Sequence, residues 1–115
     1  MNYFRDLKVW QKSIQLSNLI YSATKEFPKE EIYGLTSQIR RSSVSISSNI
    51  AEGCGRESKK EFKNFLGIAL GSAFELETQM IIALNQNFLD KIEFDEFEKE
   101  IQHIQNMIIK LQSTL

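Results

Sequence analysis

The sequence predicts an all-α chain folded as an antiparallel, up-down-up-down four-helix bundle, a single domain over residues 1–115. Three observations lead there. Apolar residues recur at spacings of three and four in four successive stretches, and nowhere alternate with a sustained period of two. The only proline, Pro28, and the pair Gly53 and Gly55 fall between stretches. The connections are short, which makes successive helices antiparallel neighbours. A length of 115 residues suits one domain and is too short for two. A chain of this size buries about 65% of its unfolded surface, enough for a core without disulfides or metals.

The first helix is expected from Leu7 to about Phe27. Leu7, Trp10, Ile14 and Tyr21 form one stripe, and Val9, Leu16, Ile20 and Phe27 a second beside it, giving a broad apolar face that packs on more than one neighbour. Asp6 is placed to cap its first turn, and Pro28 ends it because it disfavours helical geometry at Phe27 and lacks an N–H. The second helix runs from near Leu35 to near Glu52, with Leu35, Ile39, Ile46 and Ile50 on one side. Gly53-Cys54-Gly55 stops it, since glycine adopts the left-handed geometry of a helix end at no steric cost. Serines crowd residues 42–48, yet Val44, Ile46 and Ile50 arrive in helical phase; the serines therefore belong to a helix that another backbone approaches closely.

Ser58 followed by Glu61 is a capping box opening the third helix. Phe62, Phe65, Ala69, Ser72, Leu76, Met80 and Ala83 carry it to about Asn87. Gly67 and Gly71 share one face of it, each costing about 1 kcal/mol of helix propensity against Ala, and this points to close helix–helix contact. In the fourth helix Phe94, Phe97, Ile101, Ile104, Ile108, Leu111 and Leu115 alternate spacings of three and four throughout. Its acidic start (Glu93, Asp95, Glu96, Glu98, Glu100) suits a solvated face at a helix N-terminus.

Composition excludes several function classes. One cysteine, Cys54, and one histidine, His103, allow neither an intrachain disulfide framework nor an obvious structural zinc set. No apolar run approaches the ~20 residues of a membrane span, and the start Met1-Asn2-Tyr3-Phe4-Arg5-Asp6 lacks a signal-peptide core, so a reducing, cytoplasmic setting without membrane is expected. No nucleophile–base arrangement, carboxylate-x-x-His ligand pattern, phosphate loop or zincin or kinase signature is present. The expectation is a protein that is not an enzyme and takes no cofactor.

Two polar features remain. Gln38, Arg41, Ser45, Asn49 and Glu52 step along one face of the second helix. Solvated faces favour Lys and Glu, whereas these side chains hydrogen-bond in defined geometry, and Arg grips carboxylates with paired bonds. With Glu75 and Glu77 of the third helix they are expected to form a partly buried network, within the bundle or between subunits. Charge is also uneven: residues 1–63 hold 11 Lys/Arg against 7 Asp/Glu, and residues 64–115 hold 3 against 8. Arg56, Lys59, Lys60 and Lys63 cluster where the third helix starts, and Arg40 adjoins Arg41. Cations beside a helix N-terminus favour phosphates, although the net charge of −1 exerts no global pull on nucleic acid and no aromatic is interleaved to stack on bases.

Several segments together resemble one family. They are Phe4-Arg5-Asp6-Leu7-Lys8-Val9-Trp10, Phe27-Pro28, Tyr33-Gly34-Leu35-Thr36-Ser37-Gln38-Ile39-Arg40-Arg41, Val44-Ser45-Ile46-Ser47-Ser48-Asn49-Ile50-Ala51-Glu52-Gly53, Arg56, and Gly71-Ser72-Ala73-Phe74-Glu75-Leu76-Glu77. The chain is similar over nearly its whole length to the four-helix-bundle proteins encoded by intervening sequences of bacterial 23S rRNA genes, also labelled 23S rRNA-associated or ribosomal-like proteins. Ser47 stands where that family usually has Pro. The resemblance implies a left-handed bundle assembled as a ring-like homopentamer, with no established enzymatic activity. It also implies similarity in fold to the accessory protein of diversity-generating retroelements, which binds nucleic acid and a reverse transcriptase. By that analogy Arg40, Arg41, Arg56 and the nearby lysines are the first nucleic-acid candidates.

Two functions of different class follow. One is a non-enzymatic oligomeric scaffold that binds RNA or DNA through Arg40, Arg56, Lys59, Lys60 and Lys63. The alternative is a protein-binding adaptor whose seam and apolar residues serve self-assembly or a polymerase-like partner. Self-association is expected in both, because two stripes on the first helix, with Trp10 and Tyr21, exceed what one small bundle hides.

Overall fold

The computed structural model describes residues 3–115; Met1 and Asn2, the first two residues of the segment read as lacking a signal-peptide core, lie outside the described residues. Among the described residues there are four α-helices: α1 (Lys8–Thr24), α2 (Leu35–Cys54), α3 (Lys59–Asn85) and α4 (Lys91–Ser113). Short 3-10 turns at Phe4–Asp6 and Lys29–Glu31 precede α1 and α2, and there is no strand.

Cross-helix contacts fix the neighbours. Ser42, early in α2, donates to Gln79 Oε1, late in α3, at 2.7 Å, and the Ser45 and Ser72 hydroxyls are 2.8 Å apart. Gly53, at the other end of α2, lies against Phe62 and Phe65 at the start of α3. Gln105 and Gln102 of α4 donate to Glu77 of α3 at 2.8 and 3.1 Å, and Gln112 reaches the Lys63 carbonyl at 3.4 Å. Small residues make the α2–α3 seam the closest-packed: Ser42, Ala69, Ser72, Ala73 and Gly53 all face it or the core and are buried. Between them the helices enclose Ile20, Ile39, Ile46, Ile50, Leu66, Leu76, Met80, Ile101, Ile104 and Ile108, essentially withdrawn from water. Burying each such side chain contributes ~1.5–3 kcal/mol. The serines at 42, 43 and 47 are buried too, each bonding back to a carbonyl three residues earlier, and α2 runs unbroken through Ser47.

Helix ends depart from the sequence reading. Asp6 does not cap α1. It lies within the 3-10 turn, and the cap position is Leu7, whose extended backbone makes no side-chain cap bond. α1 stops at Thr24, before Pro28, which instead precedes the Lys29–Glu31 turn. α2 extends through Gly53 to Cys54, and Gly55 has φ −82°, so no left-handed glycine ends it. Gly53 serves close approach instead: a Cβ there would sit 2.6 Å from Phe65 Cβ. The left-handed stop comes after α3. Asn87 has φ 63°, with its N–H on Leu84 O at 3.0 Å and that of Phe88 on Ala83 O at 2.9 Å, a Schellman ending. Two N-caps hold α3 and α4: Ser58 Oγ accepts from Glu61 N at 3.1 Å, and Asp90 Oδ1 from Glu93 N at 2.8 Å.

One further expectation is corrected. Gly67 and Gly71 do not pack within the chain. A Cβ on Gly71 would meet nothing within 4 Å, and one on Gly67 only Gln112 Nε2 at 3.6 Å. α3 holds no uninterrupted apolar run of the length of a membrane span, although it is the longest and, by mean composition, the most apolar of the described helices. That apolar character arises because its outer side carries Ile68, Phe74, Ile81 and Ile82 in addition to the core residues.

Candidate nucleic-acid interface and polar seam

The last turn of α2 lies against the start of α3, through Gly53, Phe62 and Phe65, and cations collect there. Arg56, Lys59, Lys60 and Lys63 are all exposed there. Arg56 is the constrained member: its guanidinium donates to Glu52 Oε1 at 3.0 Å and lies 4.8 Å from the centroid of Phe65. At 43% and 54% side-chain exposure this i,i+4 pair adds little stability but holds the guanidinium at the mouth of α3. The three lysines make no ion pair among the described residues, whose only two pairs are Glu52–Arg56 and Lys91–Asp95. Glu61 is engaged with the Ser58 cap. Exposed α3 N–H groups and unpaired ammonium groups together favour an anion.

Arg40 does not join this cluster. It lies 16 residues before Arg56 on α2, about 24 Å along a helix. There Arg40 stacks on Tyr21 at 4.8 Å and donates through Nε to Thr24 Oγ1 at 2.9 Å. Aromatic rings accompany both arginines in space, Tyr21 beside Arg40 and Phe65 beside Arg56; these partners lie in α1 and α3, out of reach of a local motif.

The polar seam divides. Its centre is built: Asn49 Nδ2 donates to the Ser45 carbonyl at 2.8 Å and to Ser45 Oγ at 2.9 Å, and Ser45 meets Ser72. Its ends are not joined. Gln38, Arg41 and Glu75 are exposed, and Glu52 pairs with Arg56, not Arg41. Arg41 is exposed on the side of α2 that carries Ser37 and Val44, with Tyr21 of α1 nearby. Glu77 turns toward α4 and accepts from Gln102 and Gln105. The expected Arg–Glu–Asn network is thus, within this chain, a Ser–Asn–Ser cluster. The sequence missed the buried Gln79 and Gln105 (5% and 7% exposed), which are the polar side chains that tie α3 to its two neighbours.

Neither reactive residue is set up for chemistry. Cys54 is buried in the last turn of α2, and burial pushes its thiol up from the ordinary value, away from the reactive thiolate. His103 is exposed on α4. Among the described residues no group of three His, Cys, Asp or Glu side chains is placed to hold a metal ion.

The family model for the 23S rRNA-intervening sequence protein matches residues 5–110. The chain belongs to that family. It is also similar to a protein of unknown function from the S23 ribosomal protein family of Bacteroides thetaiotaomicron. The two are 25% identical, the match covers 90% of this chain and 97% of that one, and the TM-score is 0.84. No curated protein matches the chain. The Bacteroides thetaiotaomicron protein thus shares this fold over most of the chain.

Proposed function

We propose that this member of the family is a non-enzymatic, single-domain bundle that self-associates in the cytoplasm and binds RNA or another nucleic acid through its basic end. The observation that carries the reading is the exposed set Arg56, Lys59, Lys60 and Lys63 around the start of α3, with only Arg56 paired. Self-association is supported by the outer side of α3, where Ile68, Phe74, Ile81 and Ile82 lie exposed beside two glycines that no part of the chain contacts closely. The cross-helix pairs fit an antiparallel up-down-up-down course, and resemblance to the family favours a left-handed bundle in a homopentameric ring. Five copies of a modest basic patch bind together more strongly than one, provided all reach the same strand. The test is a salt series with Arg56, Lys59, Lys60 and Lys63 all changed to Gln. If they contact phosphates, the variant binds more weakly on every sequence, and its slope of log affinity against log salt flattens by about 0.7–0.9 per contact. An unchanged slope would contradict the reading.

A second reading, a protein-binding adaptor with a partner such as a polymerase-like protein, is favoured by the groove between α1 and α4. Its volume is about 770 Å³; Leu16, Leu19, Ala23 and Phe97 line it together with charged residues of both signs, more acidic than basic. Nucleic-acid binding that is absent even at low salt would give this reading precedence.

A further inference from the structure

A separate concavity lies between α1 and the start of α2, away from the basic end. It has a volume of about 350 Å³ and is lined by Tyr21, Ile32, Ser37, Arg40, Arg41 and Val44. This is within the range of small-ligand sites. No carboxylate lines it. Glu31, close by in sequence, has its Oε1 engaged with the Leu35 N–H at 3.0 Å.

Arg40 is fixed before any ligand arrives. Thr24 Oγ1 donates its own proton to the Ile20 carbonyl at 2.7 Å, which leaves its lone pairs to accept from Arg40 Nε at 2.9 Å. The guanidinium then lies over the Tyr21 ring, 4.8 Å from its centroid, so the cation and the aromatic ring are held together. A ligand that uses them does not bear the cost of ordering the Arg40 side chain. Arg41, next along α2, is exposed and makes no ion pair among the described residues. Tyr21 remains 43% exposed, and Tyr33, beside Ile32 in sequence, is 95% exposed. Such a surface fits a ligand with both a planar face and a negative charge. A duplex offers only the charge, because its bases are stacked inside.

We propose that the Tyr21–Arg40–Arg41 pocket takes an unpaired nucleotide of a single-stranded nucleic acid, its base against the Tyr21–Arg40 stack and its phosphate on Arg41. The proposal rests on the nucleic-acid reading above and adds to it a preference for single strands. The basic end needs only phosphates, whereas this pocket needs an open base face.

The test measures binding of a labelled 20-nucleotide single strand, and of the same sequence as a duplex, across a salt series. Wild type, Tyr21→Leu, Tyr21→Phe, Arg41→Gln and the fourfold Gln variant of the basic end are compared. Tyr21→Leu weakens single-strand binding about 5- to 100-fold, the range for loss of one base–aromatic stack, and leaves duplex binding and the salt slope unchanged. Tyr21→Phe, which keeps the ring, binds as wild type. Arg41→Gln flattens the single-strand slope by about 0.7. If Tyr21→Leu binds the single strand as wild type does while the fourfold variant loses it, the pocket is refuted and the basic end stands. If wild type binds neither form at low salt, both readings fall. Photocrosslinking of a 4-thiouridine strand to wild type keeps the question decidable should Tyr21→Leu fold poorly. Attachment at Tyr21, Arg40 or Arg41 supports the pocket, and attachment confined to residues 56–63 overturns it.

Discussion

Replacing Gly53 by Ala tests how α2 and α3 are held together. A Cβ at Gly53 would stand 2.6 Å from Phe65 Cβ, 3.1 Å from Phe62 Cδ1 and 3.3 Å from the Phe62 carbonyl. Carbon atoms pack best at 3.5–4.0 Å, so the first contact is about 1 Å too short. Phe65 Cβ is one bond from its backbone and cannot rotate away; the helices must therefore part at this level. Overpacking of this kind costs ~1–3 kcal/mol, and the gain of Ala over Gly in a helix offsets ~1 kcal/mol. Because the clash involves an atom that cannot yield, the upper part of the range applies, and a net loss of ~1–2 kcal/mol is expected. With an unfolding entropy of about 2.1 cal/mol/K per residue, that lowers Tm by roughly 4–8 °C. Gly55→Ala is the control. Its Cβ would meet only Glu52 O at 3.6 Å and Ala51 O at 3.9 Å, with φ at −82°, and stability should stay within ~0.5 kcal/mol. Thermal melts and urea titrations of the two variants decide the matter. If Gly55→Ala is the damaging change and Gly53→Ala is neutral, glycine ends α2 by its backbone freedom and the close-approach argument fails.

Three other predictions follow from the packing and assembly. Ser42→Ala strands the buried Gln79 carbonyl and should cost ~1–3 kcal/mol in urea unfolding, whereas Ser42→Ala combined with Gln79→Met should be milder. Arg41→Ala should shift stability by no more than ~0.5 kcal/mol; a loss of ~3–5 kcal/mol, the size seen when a buried carboxylate loses its partner, would mean that Arg41 is gripped by a carboxylate after all. Light scattering at micromolar concentration should give a multiple of the 13.3 kDa chain, five-fold for the proposed ring. A stable monomer would remove self-association and the avidity argument together.

The fold was legible because burial imposes a period. Ile101, Ile104 and Ile108 repeat at three and four for the same reason that they are withdrawn from water, and no local preference competes with that signal. Helix ends were harder to read. Whether Gly53 or Gly55 matters depends on where Phe62 and Phe65 come to rest, and a local rule about glycine has no access to that. The site was legible only in its local part. Lys59, Lys60 and Lys63 could be placed on an exposed helix start from neighbours in sequence. Arg40 could not be assigned to Tyr21 and Thr24, because that contact joins two helices across 16 to 19 positions. Within one chain the seam is divided for a related reason: a small rotation on α2 separates Ser45, which meets Ser72, from Arg41, which is exposed. The exposed apolar side of α3 was hidden as well, since Ile68, Phe74, Ile81 and Ile82 fall outside the stripe that carries Leu76 and Met80, and which other face is wet depends on the packing of its neighbours.

A chain of net charge −1 is proposed to bind nucleic acid through four locally clustered cations, three of them unpaired among the described residues. The most direct test is a titration of the wild-type protein against a labelled single-stranded RNA at two salt concentrations. Four phosphate contacts on a single strand give a slope of about −2.8, so affinity should fall roughly 50-fold between 50 and 200 mM salt. Absence of binding at 50 mM, or binding that salt does not weaken, would contradict the account.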